Sequence, residues 1–564
     1  MRKNIYVSLL VSLLLPAILF AQVERKAPIK MEEPNITVES KVNGYEMSPQ
    51  VANWVLVDWM ANTYGPAIGV LNPIAYDPGA DVVALVHRGH IDYATGSGQL
   101  WYNLSTDAGL TWARVPGGVN SSIPKNARYP SMAISNPTGG GIAGTTGLFS
   151  WPQLNPSAFG FLGYAADQPL GAGAPFAVED QGPPAYSSQV PCWTEGDYFY
   201  WSSDNSTDNS IRIFSTTDFG TITTYDIPDT SNTGSITFGG VGRNGVSYLG
   251  MVASGLTLAN PIASGWVPGY SMTTNNGVSW SDPVAVDFRT IPALSAYDRL
   301  FDFKKGDAFV SYTGDINLDA NGYIHLVFAV TDTITADTGV NALVEVFQTA
   351  SGWDGKVIYS GIDDMTYTFA FNDPALGQMG PAGYLATNTA GNVFACTWPM
   401  RAAVTDTICD IFFSYRDASG DWSTPENLTG TPNMNENGAH MAPMLKDNGG
   451  GSYTAFVGYF YEDGNFGPVP VLTNKTNFWV APVTFQTTSV DDEGALVNKF
   501  ELGQNYPNPF NPSTKISYVL SEAGFVSIKV YDVLGKEVAS LVNREMTSGS
   551  HSVTFDGTNL ASGM

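Results

Sequence analysis

The chain has 564 residues, 43% of them hydrophobic and only 14% charged, enough apolar material for a large core. Asp and Glu number 52 against 26 Lys and Arg, and the resulting net charge of −26 excludes nucleic acid as a partner. Fifty-nine Gly, 35 Pro and 12% aromatic residues, with few runs of helical period, exclude a helical bundle and point to an all-β chain rich in turns.

Arg2 and Lys3 precede an apolar run from Ile5 to Phe20, and Ala21 offers a small residue for cleavage. This pattern predicts a secretory signal peptide over residues 1–21. The run is short for a membrane span and contains Pro16, and no Cys follows it, so neither a transmembrane nor a lipoprotein anchor is expected. No other stretch is long and apolar enough to span a bilayer, which leaves the mature chain without a transmembrane segment. Residues 22–50 are polar and unpatterned and read as a lead segment.

From residue 51 to 485 the chain repeats itself. YDPGADVVALVHRG, LDANGYIHLVFAV, TNTAGNVFACTW and KDNGGGSYTAFVGY each set a Gly-bearing turn before a strand, the inner hairpin of a propeller blade. Repeat starts fall near Pro73, Arg128, Ser188, Ser235, Ser311, Gly383 and His440. Their spacing of about 60 residues exceeds the ~40–50 of compact blades, so long loops are expected. Seven blades are counted; six fit nearly as well, because the second and third are weakly patterned.

STDAGLTW recurs in altered form as TTNNGVSW. Ser105, Asp107, Gly109 and Trp112 in the first match Thr273, Asn275, Gly277 and Trp280 in the second. An Asp or Asn side chain can accept backbone hydrogen bonds inside such a turn, Gly supplies a positive φ, and Trp packs beneath. The two segments resemble the Asp-box, a hairpin turn of sialidase-like propellers, and the resemblance implies a structural role. FSTTDFG, FQTASGWDG and YRDASGDW are degenerate relatives.

The same resemblance raises sialidase chemistry, in which three Arg clamp a carboxylate. That family's early Arg motif precedes the first Asp-box, whereas the nearest match, Arg128-Tyr129-Pro130, follows it. No spacing selects three Arg. Arg128 and Tyr129 stand as a candidate ligand face, and the catalytic residues stay unknown.

General glycoside hydrolysis needs two facing carboxylates. Glu195, Asp197, Asp298, Asp302, Asp363 and Asp364 are available, but a chain with 52 acids always supplies such candidates. Asp315, Asn317, Asp319, Asn321 and Gly322 open with calcium-loop spacing, yet the twelfth position is Leu326 and cannot ligate. A blade turn is the favoured reading, so no cofactor or metal is expected, calcium being the one left open. His87 and His90, three apart on a strand, face opposite sides. Cys396 and Cys409 lie in two apolar runs that can pair as a hairpin, which opens a cross-strand disulfide and leaves Cys192 as a buried apolar residue. Aromatic residues crowd NWVLVDWMANTY, PCWTEGDYFYW and YFYEDGNF, where packing between blades competes with ligand stacking.

Residues 486–499 read as a linker, and residues 500–564 as a small domain. Pro507, Pro509 and Pro512 keep its start extended. Ile516, Tyr518 and Leu520 alternate with polar neighbours, FVSIKVY and KEVASLV flank a turn at Leu534-Gly535-Lys536, and HSVTFDG follows. Four closely spaced strands suggest a β-sandwich. YPNPFNPST, SIKVYDVLGKEV and HSVTFDG…LASGM are similar to the C-terminal sorting domain of type IX secretion substrates. That resemblance implies an immunoglobulin-like fold, the type IX machinery as partner, and export to the outer-membrane surface or beyond. Such domains continue past the point where this chain stops, so its last strands are expected to be missing and its sorting to be poor.

The reading is thus all-β: a six- or seven-bladed β-propeller followed by a small immunoglobulin-like β-sandwich. Binding of a glycan or surface protein is the expected role, the alternatives being a sialidase-like glycoside hydrolase and a structural surface-layer component.

Overall fold

The computed structural model describes residues 52–487 and 501–557, apart from internal stretches of which 363–382 is the longest. The expected signal peptide, the lead segment and most of the linker lie outside the described residues, as do residues 558–564. Among the described residues no helix is long and apolar enough to cross a membrane.

Seven antiparallel sheets follow one another along the chain. Blade 1 runs from Ile74 to Arg114, blade 2 from Ser131 to Asp180, blade 3 from Cys192 to Ile227 and blade 4 from Ser235 to Ala285. Blade 5 runs from Arg299 to Ile362, blade 6 from Tyr384 to Asn427 and blade 7 from Asn437 to Gln486. Strands pair in chain order, except that Arg299–Leu300 and Gly314–Leu318 both pair with Ile324–Thr331 in blade 5 and Asn437–Met441 and Lys446–Gly449 both pair with Ser452–Glu462 in blade 7; inner strands of successive blades touch in sequence until blade 7 meets blade 1. The count is therefore seven, and every repeat start expected from sequence falls at a blade.

Blade 7 is completed from the other end of the chain. Val55–Ala61 pairs antiparallel with Lys475–Gln486, with Val55 opposite Val480 and Ala61 opposite Lys475. The ring is thereby closed by hydrogen bonds between residues over 400 apart, which also covers an edge that would otherwise be open to aggregation.

The core consists of seven wedges, one at each junction between neighbouring blades. Middle strands are covered on both faces, which is why Val82–Arg88 and Val393–Met400 are buried at every position instead of alternating. Trp151, Trp201 and Trp398 are fully buried there. The aromatic segments noted in the sequence serve this packing: Trp193, Trp201, Tyr459 and Phe460 are all buried.

The strands Val393–Met400 and Asp410–Asp417 form the expected hairpin, but none of the three cysteines is in a disulfide. Cys396 lies opposite Ser414, and Cys409 falls beyond the Met400–Asp410 pair. About five residues of strand, at ~3.3 Å each, separate the two thiols, beyond the reach of a disulfide. Cys192 is buried in the wedge between blades 2 and 3, where burial pushes its thiol up to about 12.

In the C-terminal region Glu501–Leu502, Ser513–Leu520 and Gly549–Asp556 form one sheet, and Gly524–Tyr531 pairs with Glu537–Met546 in another. Val526 and Val542 are buried, with Val553 of the first sheet packed against them. These are the strands read from the sequence; Leu534 and Gly535 lie outside the described residues.

Candidate functional site

Up-and-down pairing sends alternate connections to opposite faces of the ring. One face receives the blade-to-blade connections and those between second and third strands, including the described residues 115–124 and 286–298. The other receives mostly short turns, such as 78–81, 196–197, 244–245 and 319–323. We refer to them as the loop face and the turn face. Loops on a rigid scaffold are where binding residues concentrate.

The two Asp-box-like segments lie on the turn face, between third and fourth strands of blades 1 and 4, and share one hydrogen-bond scheme. Ser105 Oγ donates to Asp107 Oδ1 (2.9 Å) and accepts from Gly109 N (2.8 Å), while Thr111 N donates to Asp107 Oδ1 (2.9 Å). Thr273, Asn275, Gly277 and Ser279 repeat these contacts at 2.9, 3.1 and 3.0 Å. Gly109 and Gly277 have φ of +83° and +84°, a region that side-chain-bearing residues avoid. Trp112 Nε1 donates to Gly109 O (3.1 Å), and Trp280 packs edge-on to Trp193 and Tyr200 of blade 3. Each turn leans on the preceding blade: an atom added at Gly109 would meet Phe456, and one at Gly277 would meet Ser215. The arrangement clamps blades together and presents no reactive group.

Arg128 and Tyr129 lie on the loop face, at the entry to blade 2. Arg128 Nη1 donates to Ala127 O (2.8 Å). Tyr129 is buried with φ of +40°, a strained value for so bulky a residue, and reaches the apolar cluster of blades 4 and 5. Arg88, at the end of the second strand of blade 1, joins them. Burial and then the Arg128 charge lower its guanidinium to about 9. Nothing local in the sequence marks the meeting of Arg88 with Arg128.

Other arginines are engaged in internal pairs. Arg114 grips Asp58 through Nε (2.7 Å) and Nη2 (2.5 Å), and His87 Nε2 lies 3.3 Å from the same carboxylate. Burial opposes its ionisation, yet His87 and Arg114 hold Asp58 well below the usual carboxylate range. This clasp ties the closing strand of blade 7 to blade 1. Arg416 and Glu345 form a second clasp between blades 6 and 5, while Arg212 pairs with Asp226 and Arg289 with Asp287.

A cavity of about 170 Å³ lies where the first strands converge, lined by residues from all seven blades. Asp315 is the one acid among its described lining residues, which include no Arg, Lys or His. Burial raises its carboxyl to about 7, although Leu385 N and Ile316 N both donate to it (2.8 Å each). Asn317 Nδ2 beside it donates to Leu385 O and Pro443 O. Asp319, by contrast, closes a turn on the turn face, accepting from Asn321 N and Tyr323 N (2.8 Å each), and Gly322 has φ of +79°. The residues with calcium-loop spacing thus divide between cavity and turn. Among the described residues no three His, Cys, Asp or Glu side chains gather as metal ligands.

The glycosidase candidates do not converge either. Glu195 sits at a turn-face hairpin, where Gly245 N donates to Oε1 (2.5 Å), while Asp298 precedes the first strand of blade 5 on the loop face. Asp302, Asp363 and Asp364 lie outside the described residues.

Comparison with known proteins gives one family. Residues 504–564 match the model of the secretion system C-terminal sorting domain. No curated protein matches the chain. Among solved structures, an α-L-arabinofuranosidase from Fusarium graminearum with an iminosugar inhibitor is 10% identical, covering 66% of this chain and 99% of its own, at a TM-score of 0.37. An α-L-arabinanase from Penicillium chrysogenum complexed with arabinobiose is 11% identical, covering 76% and 98%, at a TM-score of 0.33. Likeness at this level carries no argument about activity. The sorting tail directs the chain to the cell surface or the extracellular space through the type IX machinery. The chain is a seven-bladed β-propeller that carries, at residues 504–564, a type IX secretion C-terminal sorting domain.

Proposed function

We propose that the propeller is an exported binding platform whose loop face takes a glycan or protein ligand. The observation that carries this reading is the division of labour between the faces. The turn face is occupied by self-satisfied hydrogen-bonded turns, whereas the loop face holds the described connections 115–124 and 286–298 together with Arg88, Arg128 and Tyr129. Arg128, half-buried, offers a guanidinium, a group suited to polar or acidic ligands, with Tyr129 packed beneath it. The sialidase-like alternative draws little support from the described residues, because the cavity supplies a single acid already engaged by two backbone N–H groups. A glycan array read together with hydrolysis assays on the purified protein tests the proposal. Retention without cleavage supports it. Cleavage that is lost on Asp315→Asn overturns it in favour of the hydrolase.

A further inference from the structure

The axial cavity holds one acid and no base among its described lining residues. Asp315 is that acid, half-buried on the strand Gly314–Leu318 of blade 5. Its carboxylate lies against the inner edge of blade 6, where Leu385 N donates to Oδ2 (2.8 Å), while Ile316 N donates to Oδ1 (2.8 Å). The two N–H groups fix the carboxylate without neutralising it. The titratable groups that feel its charge, among the described residues, are Tyr384 and Cys396 on the first and second strands of blade 6. Burial, and then the Asp315 charge, push both well above their ordinary values, so neither carries charge at neutral pH.

The wall around this carboxylate is aromatic and sulfur-bearing. Tyr76, Met132, Trp193, Phe238 and Met444 line the cavity from blades 1, 2, 3, 4 and 7. Aromatic faces attract cations, and thioethers add polarisable contact. Two oxygens of lining residues, Asn72 Oδ1 and Tyr384 Oη, are buried without a hydrogen-bond partner. In blade 4 the ladder register shifts between Thr237 and Gly239, and Gly239 has φ of +116° with no described atom within 4 Å of where a Cβ would stand. Such a glycine bulge occurs where a ligand approaches backbone. At ~30 Å³ of liquid per water, the 170 Å³ cavity has room for about five waters, or a ligand with about as many non-hydrogen atoms. A hard metal ion is a poorer match, since it needs a shell of oxygens and no three acidic, His or Cys side chains gather among the described residues.

We propose that the axial cavity binds a small primary ammonium ion, its charged head at Asp315 and its alkyl chain along the aromatic wall. The site is independent of the loop-face reading. Ammonium N–H groups are donors, which is what the carboxylate and the unpartnered Asn72 oxygen require. The net charge of −26 draws cations toward the chain. The competing occupant of Asp315 is a proton, since burial raises its carboxyl to about 7. The ligand binds the ionised carboxylate, so affinity is full above that value and falls about tenfold for each pH unit well below it. Binding near pH 6 releases a proton.

Calorimetric titration of the full chain with butylammonium chloride, at constant ionic strength set by NaCl, tests this. The expected result is saturable millimolar binding at pH 8 that is about tenfold weaker at pH 6, with a heat at pH 6 that varies with the buffer that takes up the proton. 1-Butanol, equal in size and uncharged, should bind at least tenfold more weakly at pH 8. Asp315→Asn, which keeps a side-chain oxygen and removes the charge, should lose both the binding and its pH dependence while still unfolding cooperatively. Where that variant fails to fold, the butanol comparison and the pH dependence of the wild type decide. No saturable heat in the wild type at pH 8 overturns the proposal. Equal binding of butanol, or undiminished binding in a folded Asp315→Asn, does the same, and displacement of butylammonium by equimolar CaCl₂ overturns it in favour of a metal site.

Discussion

Replacing Arg416 by Met probes the clasp between blades 5 and 6. The side chains of Arg416 and Glu345 are 1% and 0% exposed and joined by two hydrogen bonds of 2.8 and 2.6 Å. The guanidinium also lies 4.5 Å from the Phe394 ring centre. Met retains apolar bulk and removes the charge, leaving Glu345 with His325 Nδ1 (2.6 Å) and Trp422 Nε1 (3.0 Å). Breaking one partner of a buried pair costs roughly 3–5 kcal/mol. Electrostatics gives a similar figure. Burial works to raise the Glu345 carboxyl, but the Arg416 charge and the His325 contact outweigh it and hold the group at about 2, against an ordinary 4.5. At about 1.4 kcal/mol for each tenfold change in proton affinity, that depression is worth roughly 3 kcal/mol. Because the folded value lies below the unfolded one, this stabilisation is complete above the unfolded pKa and is lost as pH falls toward the folded value of about 2. Urea unfolding followed by tryptophan fluorescence should therefore show Arg416→Met weakened by roughly 3–5 kcal/mol at pH 7, with a smaller deficit near pH 3. Adding Glu345→Met should recover most of the loss, since an apolar pair of similar bulk often replaces a buried ion pair without penalty. A single variant within about 1 kcal/mol of wild type at pH 7, or a deficit that ignores pH, would refute the reasoning.

Two further outcomes follow from local geometry. Gly277→Ala should lower Tm more than Gly109→Ala in a thermal-shift assay. Both positions carry the same φ penalty, but a Cβ at Gly277 would come within 2.5 Å of Ser215, against 3.4 Å from Phe456 at Gly109. Equal shifts would contradict the turn packing. The three cysteines should resist thiol reagents in the folded protein and react fully in denaturant without reductant, because all are buried and none is in a disulfide; a Cys396–Cys409 peptide cross-link in mass spectrometry would contradict the hairpin register.

Much of the fold was legible because its determinants are local. Gly-bearing turns before apolar runs marked blades 1, 5, 6 and 7, while the weaker pattern of the second and third left six blades nearly as good as seven; the strands around Ile516 and Val526 stood out by their alternation and turns. The closing strand Val55–Ala61 was not, since its partner lies at the far end of the propeller and no local pattern states that pairing. The disulfide expectation failed on register: the runs holding Cys396 and Cys409 do pair, but Cys396 faces Ser414 and Cys409 falls beyond the last pair, a register no local pattern states. The site was least legible. Arg128 and Tyr129 were marked by their resemblance to an Arg motif, while Arg88 is an ordinary residue in sequence. Its character comes from burial next to a like charge, which only the assembled ring creates. The dense aromatics misled in the opposite sense, because Trp193, Trp201 and Tyr459 fill wedges between blades.

The central claim is that ligand binding resides on the loop face. It is tested most directly by measuring the affinity of the strongest array ligand for Arg128→Ala and for Asp107→Ala beside the wild type. The account predicts at least a tenfold loss for Arg128→Ala and no change for Asp107→Ala, whose turn lies on the opposite face. Undiminished affinity in Arg128→Ala together with a loss in Asp107→Ala would contradict it.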